Sequence, residues 1–568
     1  VAGGSTCALA TDFSASSLHA SVVRTAQLSL AGAPQILSTT IPNSPQSAAV
    51  GIQMLNGTAD FNLVTGDVGQ FALTLTDSSL TYSDTAITGS SSQFTVRPFG
   101  LQLSIPSNPA GATAQSAVFK SAGQSFEVQV TAKGWASADD ANNDGVPDTF
   151  VDSNYSNNTL SGSTLASFGT ETPSETVQLS AVSLLPASLG SVALGNALSS
   201  PNDGRIVSGF SAGTGSTSNI YYDNVGAIAI AAAVTDSNYL DVGSTRTGYF
   251  SALSQPIGRF APAYYSVQSS SYTSACTNTQ PFSYFGQTVQ GAFTMQAHAS
   301  TATVTTAYEG DLVKLDLSSG TKNFTARDVV AASASLSARL SSSLAALSWS
   351  QGVGQGSSSH VFARSSAPDG PYENTSLGLQ VTDSDSVSFS NSVLNLDSNA
   401  DGANDSALLS VLDLRHGRVR LDGGTSSPTD ALDVVFRTEY FNGSGWSTLS
   451  FDSCSSVSRS DITYPSGSID NASNLTVTVG AGQTTGSYAS TTPSAVLFQQ
   501  GDASHSFTAP GAGNEGSFSV NVSVAGYAWL QFDWDGDGQH NDSSLPAAQY
   551  DFTNTYRGHD RVLFWGTQ

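Results

Sequence analysis

Gly516-Ser-Phe-Ser-Val-Asn-Val-Ser-Val524 alternates apolar with small or polar residues along its whole length. Successive side chains of an extended strand point to opposite faces, so this period of two predicts a strand with one buried face. The same period runs through Ser125-Phe-Glu-Val-Gln-Val-Thr131, Ala302-Thr-Val-Thr305 and Asn474-Leu-Thr-Val-Thr-Val479. Gly, Asn, Asp, Ser and Pro recur about every ten positions, the spacing of turns in sandwiches. The expected fold class is therefore all-β, built from serial immunoglobulin-like β-sandwich domains. Arg327–Leu340 is ambiguous between strand and amphipathic helix, and its apolar alternation at Leu336, Ala338 and Leu340 favours strand.

A length of 568 residues implies several domains, at about 150 residues each. Thr65-Gly-Asp-Val-Gly-Gln-Phe-Ala-Leu-Thr-Leu75 looks like the late hairpin of a bacterial immunoglobulin-like domain that closes at Phe94-Thr-Val-Arg-Pro98. Further starts fall near Ile257-Gly-Arg-Phe260 and Arg415-His-Gly-Arg-Val-Arg-Leu421. The expected domains are 1–98, 99–256, 257–414 and 415–568, the last closing on a strand at Arg561-Val-Leu-Phe-Trp565.

Only 11% of residues are charged, and the net charge of -25 reflects 19 bases against 44 acids. Such a surface repels nucleic acid phosphates and anionic membranes, and it suits divalent cations. The most apolar run, Val225-Gly-Ala-Ile-Ala-Ile-Ala-Ala-Ala-Val234, is too short to span a bilayer, which needs about 20 residues. It reads as a buried strand. Few Lys, Met and Cys, abundant Ser and Thr, and a start at Val1 suggest a secreted bacterial protein whose signal peptide has been removed.

Three stretches share the pattern D-x-[DN]-x-D-G-x-x-[DN]. Their candidate ligands are Asp140, Asn142, Asp144 and Asp148; Asp397, Asn399, Asp401 and Asp405; and Asp533, Asp535, Asp537 and Asn541. Alternate side-chain oxygens in a tight loop suit Ca²⁺, and the Gly permits the sharp turn. The seventh position would add a backbone carbonyl, and Asp152 and Asp542 are candidate extra ligands. None has the Glu at position twelve that an EF-hand requires, so the expected ion is structural rather than regulatory. The plainer reading is an ion-free turn, because these residue types dominate turns.

Other motifs are weak. Gly209-Phe-Ser-Ala-Gly213 matches the nucleophile-elbow pattern, but the residues that follow are not helix formers. The seven histidines show no paired metal spacing, and the cysteines show no zinc spacing. No catalytic residue is assigned. Tyr221, Tyr222, Tyr264 and Tyr265 could form a sugar platform, and half-buried strand residues are the commoner case.

Several strings together resemble the large C-terminal region of MshQ-like proteins of mannose-sensitive haemagglutinin (type IV) pilus loci. They are Phe94-Thr-Val-Arg-Pro-Phe99; Ile257-Gly-Arg-Phe260 with Ala275-Cys276 and Phe282-Ser-Tyr-Phe-Gly286; and Asp369-Gly-Pro-Tyr372. Arg415-His-Gly-Arg418 with Tyr440-Phe-Asn-Gly-Ser-Gly-Trp446 and Asp452-Ser-Cys454 follows, then Trp529-Leu-Gln-Phe-Asp-Trp-Asp-Gly-Asp-Gly538 with Tyr556-Arg-Gly558. The resemblance implies a secreted, pilus-associated surface protein. A lectin-like domain often found further N-terminal in that family is missing here, which weakens a carbohydrate-binding role.

Cys276 and Cys454 fall at positions of this resemblance, which implies a disulfide between them; two separate thiols are the alternative. Cys7 would pair with another chain or lie buried in a first strand. The leading functional reading is a cell-surface structural or adhesive protein stiffened by calcium, with pilus proteins, copies of itself or surface glycans as partners. The second is a filament subunit that polymerises by strand addition, Val1–Ala20 being the donor. A secreted polysaccharide hydrolase is the third.

Overall fold

The computed structural model describes residues 10–15, 18–25, 32–82, 85–148, 159–197, 204–241, 251–278, 280–317, 323–330, 335–464, 467–469, 474–488 and 495–554. Cys7, Asp152, Tyr556–Gly558 and the expected closing strand at 561–565 lie outside them. Every regular element among the described residues is a β-strand or a short 3-10 turn. The protein is all-β. Among the described residues no helix is long and apolar enough to cross a membrane.

The chain divides into two compact units. The first comprises residues 1–264, 297–314 and 349–353; the second comprises 265–296, 315–348 and 354–568.

In the first unit, Leu18–Arg24 lies between Ala48–Val50 and the long strand Gly69–Tyr82. Leu18, Ala20 and Val22 point into a core with Ile36, Ile41, Val50, Ile52 and Leu73. Leu18–Ala20, part of the expected donor strand, is thus paired on both sides within its own module.

A larger sandwich follows. One sheet carries Gly100–Ser104, Phe126–Lys133, Thr214–Tyr221 and Gly195–Asn196. In Phe126–Lys133 the alternation turns Phe126, Val128, Val130 and Ala132 inward. The other sheet is built on Val177–Leu185 and Gly226–Val234, the apolar run, whose Ile228 and Ile230 complete the core. Ile257–Ala261, an expected domain start, is the neighbour of Gly226–Val234 in this sheet. It is buried throughout.

A buried ion pair within the first module also joins it to the second through Ser167. Arg24 Nη2 lies 3.1 Å from Asp67 Oδ2, and both side chains are almost wholly inaccessible. The same carboxylate accepts the amide of Val68 at 2.9 Å and both the amide and the hydroxyl of Ser167.

One four-stranded sheet, its strands mainly in the second unit, orders Tyr264–Thr273, Thr288–His298, Val353–Phe362 and Leu340–Ser350. Another orders Ser283–Tyr284, Ala407–Arg415, Tyr372–Gln380 and Asn323–Asp328. The C-terminal sandwich sets Gly417–Asp422, Leu432–Phe441, Asp502–Phe507, Gly482–Tyr488 and Asn474–Val479 in one sheet. Gly424–Ser426, Ala548–Phe552, Gly516–Val522 and Ile462–Thr463 form the other. Phe518, Val520 and Val522 of the opening stretch face this core, as their spacing predicts.

Two short readings resolve differently. Within Arg327–Leu340, Arg327 and Asp328 finish a strand, Ser337–Arg339 form a 3-10 turn and Leu340 begins the next strand; residues 331–334 lie outside the described set. Ala302–Thr305 is a tight turn with Ala302 at φ 68° and a single bridge at Val304. Four alternating residues are too few to distinguish a strand from a turn.

Candidate metal centre

All three acidic loops fold alike. The first-position aspartate wraps the chain around itself by accepting backbone amides. Asp140 takes those of Asp144 and Gly145 at 3.0 and 3.1 Å. Asp397 takes Ala400, Asp401 and Gly402 at 2.8, 3.2 and 3.1 Å. Asp533 takes Gly536, Asp537 and Gly538 at 2.7, 3.0 and 2.9 Å. The third position then accepts the amide of the fifth: Asn142 from Asp144, Asn399 from Asp401 and Asp535 from Asp537. The fifth accepts that of the seventh: Asp144 from Val146, Asp401 from Ala403 and Asp537 from Gln539.

Such winding needs two left-handed residues. Position four supplies one, in Asn143, Ala400 and Gly536 at φ 55°, 66° and 79°. The pattern's glycine supplies the other, in Gly145, Gly402 and Gly538 at φ 79°, 93° and 84°. A side chain is strained at such angles, which is why Gly stands at the sixth position.

The loops close differently. Asp148 accepts the amide of Ala141 at 2.7 Å, and Asp405 accepts the amide and hydroxyl of Ser398, each at 3.0 Å. In the third loop the closing carboxylate belongs to Asp542, one residue beyond the pattern; it accepts the amides of Trp534 and Asp535. Asn541, a candidate ligand by its position in the pattern, directs its amide to Gln539.

Electrostatic surroundings separate the three. In the first loop, Trp135 Nε1 donates to Asp140 at 2.9 Å and Arg97 donates to the carbonyl of Gly145 at 3.1 Å. In the second, Arg327 lies 3.1 Å from the Asp397 carboxylate and donates to its carbonyl at 2.7 Å. Among the described residues no ion pair reaches Asp533, Asp535, Asp537 or Asp542. There Asp533, Asp535 and Asp542 each bring an oxygen within 4.8 Å of the others'. Partial desolvation disfavours charge on Asp397 and Asp533. Donated amides outweigh it, helped in Asp397 by Arg327, and both titrate below the usual carboxylate range.

Beneath the third loop lies an aromatic clamp. The Arg418 guanidinium sits 4.0, 4.9 and 5.0 Å from the ring centres of Trp446, Phe532 and Trp534. Its charge is taken by Glu439, at 2.8 and 2.7 Å, not by the loop. His540 packs 5.1 Å from both Phe532 and His416. Asp369 gathers Arg339, Ser365, Tyr372 and, at 3.5 Å, His416. Desolvation opposes that carboxylate's charge, but these partners hold its pKa at about 2. The strings around 369, 415, 446 and 532 thus meet in space, which no local pattern announces.

Cys276 and Cys454 form a disulfide with Cα atoms 5.6 Å apart. Beside it the Tyr284 hydroxyl donates to Asp452 at 2.8 Å, and Asp452 accepts the amides of Cys454 and Ser455.

The remaining motifs take structural places. Gly209–Gly213 leads through a turn at Ala212 and Gly213 into the strand Thr214–Tyr221, not into a helix. Tyr222 and Tyr265 are buried, and the Tyr265 hydroxyl donates to Asp383 at 2.6 Å, so the four tyrosines do not make a common platform.

Models of the second, third and fourth domains of DUF6701 match residues 97–220, 224–408 and 415–567. No curated protein matches. Among solved structures, the Escherichia coli adhesin FdeC is 10% identical with a TM-score of 0.28, the alignment covering 79% of this chain and 96% of that one. Invasin, described as a bacterial integrin-binding protein, is 9% identical at TM-score 0.27, covering 95% and 72%. Domains 4–9 of the surface layer protein SbsC are 10% identical at TM-score 0.14, covering 80% and 48%. With TM-scores this low, none of these likenesses bears on what the chain does.

Proposed function

We propose that this chain, which belongs to the DUF6701 family, is a secreted cell-surface protein with a structural and adhesive role, braced by calcium at its third acidic loop. The carrying observation is the trio Asp533, Asp535 and Asp542, whose oxygens lie within 4.8 Å of one another and which make no ion pair among the described residues. Three carboxylates so placed repel one another, and a divalent cation relieves that repulsion. Ca²⁺ takes oxygen ligands at about 2.3–2.6 Å in flexible geometry, so backbone carbonyls and water would complete its shell. The first two loops have the same winding but hold asparagine at the third position, with Trp135 or Arg327 on the leading aspartate. They serve as turns stapled by side chains.

The disulfide supports secretion, because such bonds persist in oxidising compartments. Scarce charge and serial β modules suit an extended surface role. Association with a pilus rests on the resemblance to MshQ-like proteins, and pilus proteins or copies of the chain are the partners proposed.

Calorimetry tests the brace. EDTA should lower the melting temperature, and excess Ca²⁺ should restore it. An ion at a hundred times its dissociation constant contributes about 2.7 kcal/mol. Asp535→Ala should abolish the response, and an unchanged melting temperature in the wild type would sink the calcium reading. Electron micrographs test the assembly: discrete particles fit this proposal, whereas long regular fibres would make the chain a filament subunit instead.

A further inference from the structure

Thr85–Ser90 is the last strand of the first module's main sheet. It pairs with Gly69–Tyr82 on one side, and among the described residues nothing pairs with its other edge. Ile87–Ser90 stands opposite Thr74–Asp77 in unbroken register. The hydroxyls of Thr88 and Ser90 meet those of Thr76 and Thr74 at 3.3 and 2.9 Å on one face. Alternation therefore turns Ile87 and Gly89 to the other face, the face on which Leu73 and Leu75 join the core. There the core lies open at its side. Ile87, Leu73 and Leu75, with Phe13, Met54 and Phe61, line a trough of about 450 Å³. Ile87 is 44% exposed. Nothing lies within 4 Å of the place where a side chain at Gly89 would begin.

A free strand edge is a template for another chain, and proteins usually blunt it with charge, Pro or a covering element. Residues 85–96 hold no charged residue and no Pro. Copies of a chain with net charge -25 repel one another over most of their surface. They approach most readily along an uncharged strip. The occupant that fits this edge is therefore a second copy of the same strand.

We propose that Thr85–Ser90 is a dimerisation edge, which joins two copies antiparallel about a two-fold axis at Thr88. Each Ile87 then stands opposite the partner's Gly89, fills the space that glycine leaves open and closes the partner's trough. The two Asp77 carboxylates, each already accepting the Ser79 amide and hydroxyl at 2.9 and 2.5 Å, do not meet. Three strand spacings keep them at least about 14 Å apart, beyond the screening length of about 8 Å at physiological salt. A two-fold pairing uses up both edges, so it yields a discrete pair and not a fibre. No acidic loop takes part, and the inference does not rest on calcium.

Sedimentation equilibrium in EDTA provides the test, on the intact chain carrying Cys7→Ser so that no disulfide through that residue can join copies. Between about 1 µM and about 1 mM, a range that spans weak to moderate affinities, the protein should pass from monomer to dimer and no further. Ile87→Lys and Gly89→Val, both at exposed positions, should each raise the dissociation constant at least tenfold and leave the melting temperature within a few degrees. Thr88→Cys should cross-link two copies on mild oxidation, and Thr74→Cys, one strand further in, should not. Monomer at every concentration, an open-ended series of oligomers, an undiminished dimer in folded Ile87→Lys protein, or cross-linking at 74 in preference to 88 would each overturn the proposal. Loss of the dimer on removing residues 1–9 would assign the trough to that segment of a second copy and would overturn it as well. Because association is measured in EDTA, this inference and the calcium brace can fail separately.

Discussion

Asp67, buried just before the strand Gly69–Tyr82, acts across two modules. Its carboxylate holds Arg24 in one module and Ser167 in the next, with both ionic side chains buried. Removing one member of a buried pair strands the other charge, at a cost of about 3–5 kcal/mol. Asp67→Ala should therefore destabilise the first unit by that amount in urea denaturation, and Arg24→Met combined with Asp67→Leu should cost less. A loss below about 1 kcal/mol for the single variant would remove the joint from consideration. At the third loop the decisive residue is Asp542, because it closes the turn and belongs to the acidic trio. Asp542→Ala should eliminate the calcium-dependent rise in melting temperature, while Asn541→Ala should preserve it. Equal effects would restore Asn541 to the place its pattern suggests.

At the scale of elements, strands with a clean period of two were legible: Phe126–Lys133 and Gly516–Val522 bury the residues their spacing selects. So were the three loops, since winding by aspartate and glycine is local chemistry. What escaped was non-local. Ile257–Ala261 opens with Gly and Arg like a fresh start, yet its partner is Gly226–Val234, chosen by packing rather than by neighbours in sequence. Asp542 reads from sequence only as an extra ligand; that its carboxylate closes the loop on the Trp534 amide is visible in the geometry alone. The clamp of Trp446, Phe532 and Trp534 on Arg418 is likewise assembled from distant strands. The disulfide closes a segment with a sequence separation of 178. Chain-entropy reasoning puts its contribution at about 5 kcal/mol. Cys276→Ser with Cys454→Ser should lower the second unit's unfolding midpoint accordingly, in the absence of reductant. An unchanged midpoint would show that core packing alone holds these strands.

At the scale of the whole molecule, stability should depend on pH through buried histidines as well as carboxylates. Burial lowers the pKa of His360 to about 4; burial, with Arg459 nearby, lowers that of His505 to about 3. His416 is also lowered, by burial against the pull of Asp369. A histidine whose folded pKa is depressed resists protonation only when folded. Its stabilising effect is complete above the unfolded pKa of about 6.5 and is lost as pH falls toward the folded value. Each such group contributes a slope of at most about 1.4 kcal/mol per pH unit in that window. Denaturation at pH 7, 6 and 5 should show the second unit weakening stepwise, and His360→Gln should flatten the slope. A flat profile between pH 7 and 5 would contradict the buried neutral state. Glu171, in the first unit, works the other way: burial raises its pKa, so acid favours its folded form.

Tension applied along the chain would meet the disulfide before most of the second unit. Force entering at Cys276 crosses to Cys454 through the sulfur bridge, and the intervening segment carries none of it. At about 3.4 Å per extended residue, roughly 600 Å of contour is withheld from stretching. Asp397–Asp405 sits inside that sheltered stretch. Asp533–Asp542 sits outside it, on the path that bears the pull, where a bound ion would act as a mechanical fuse.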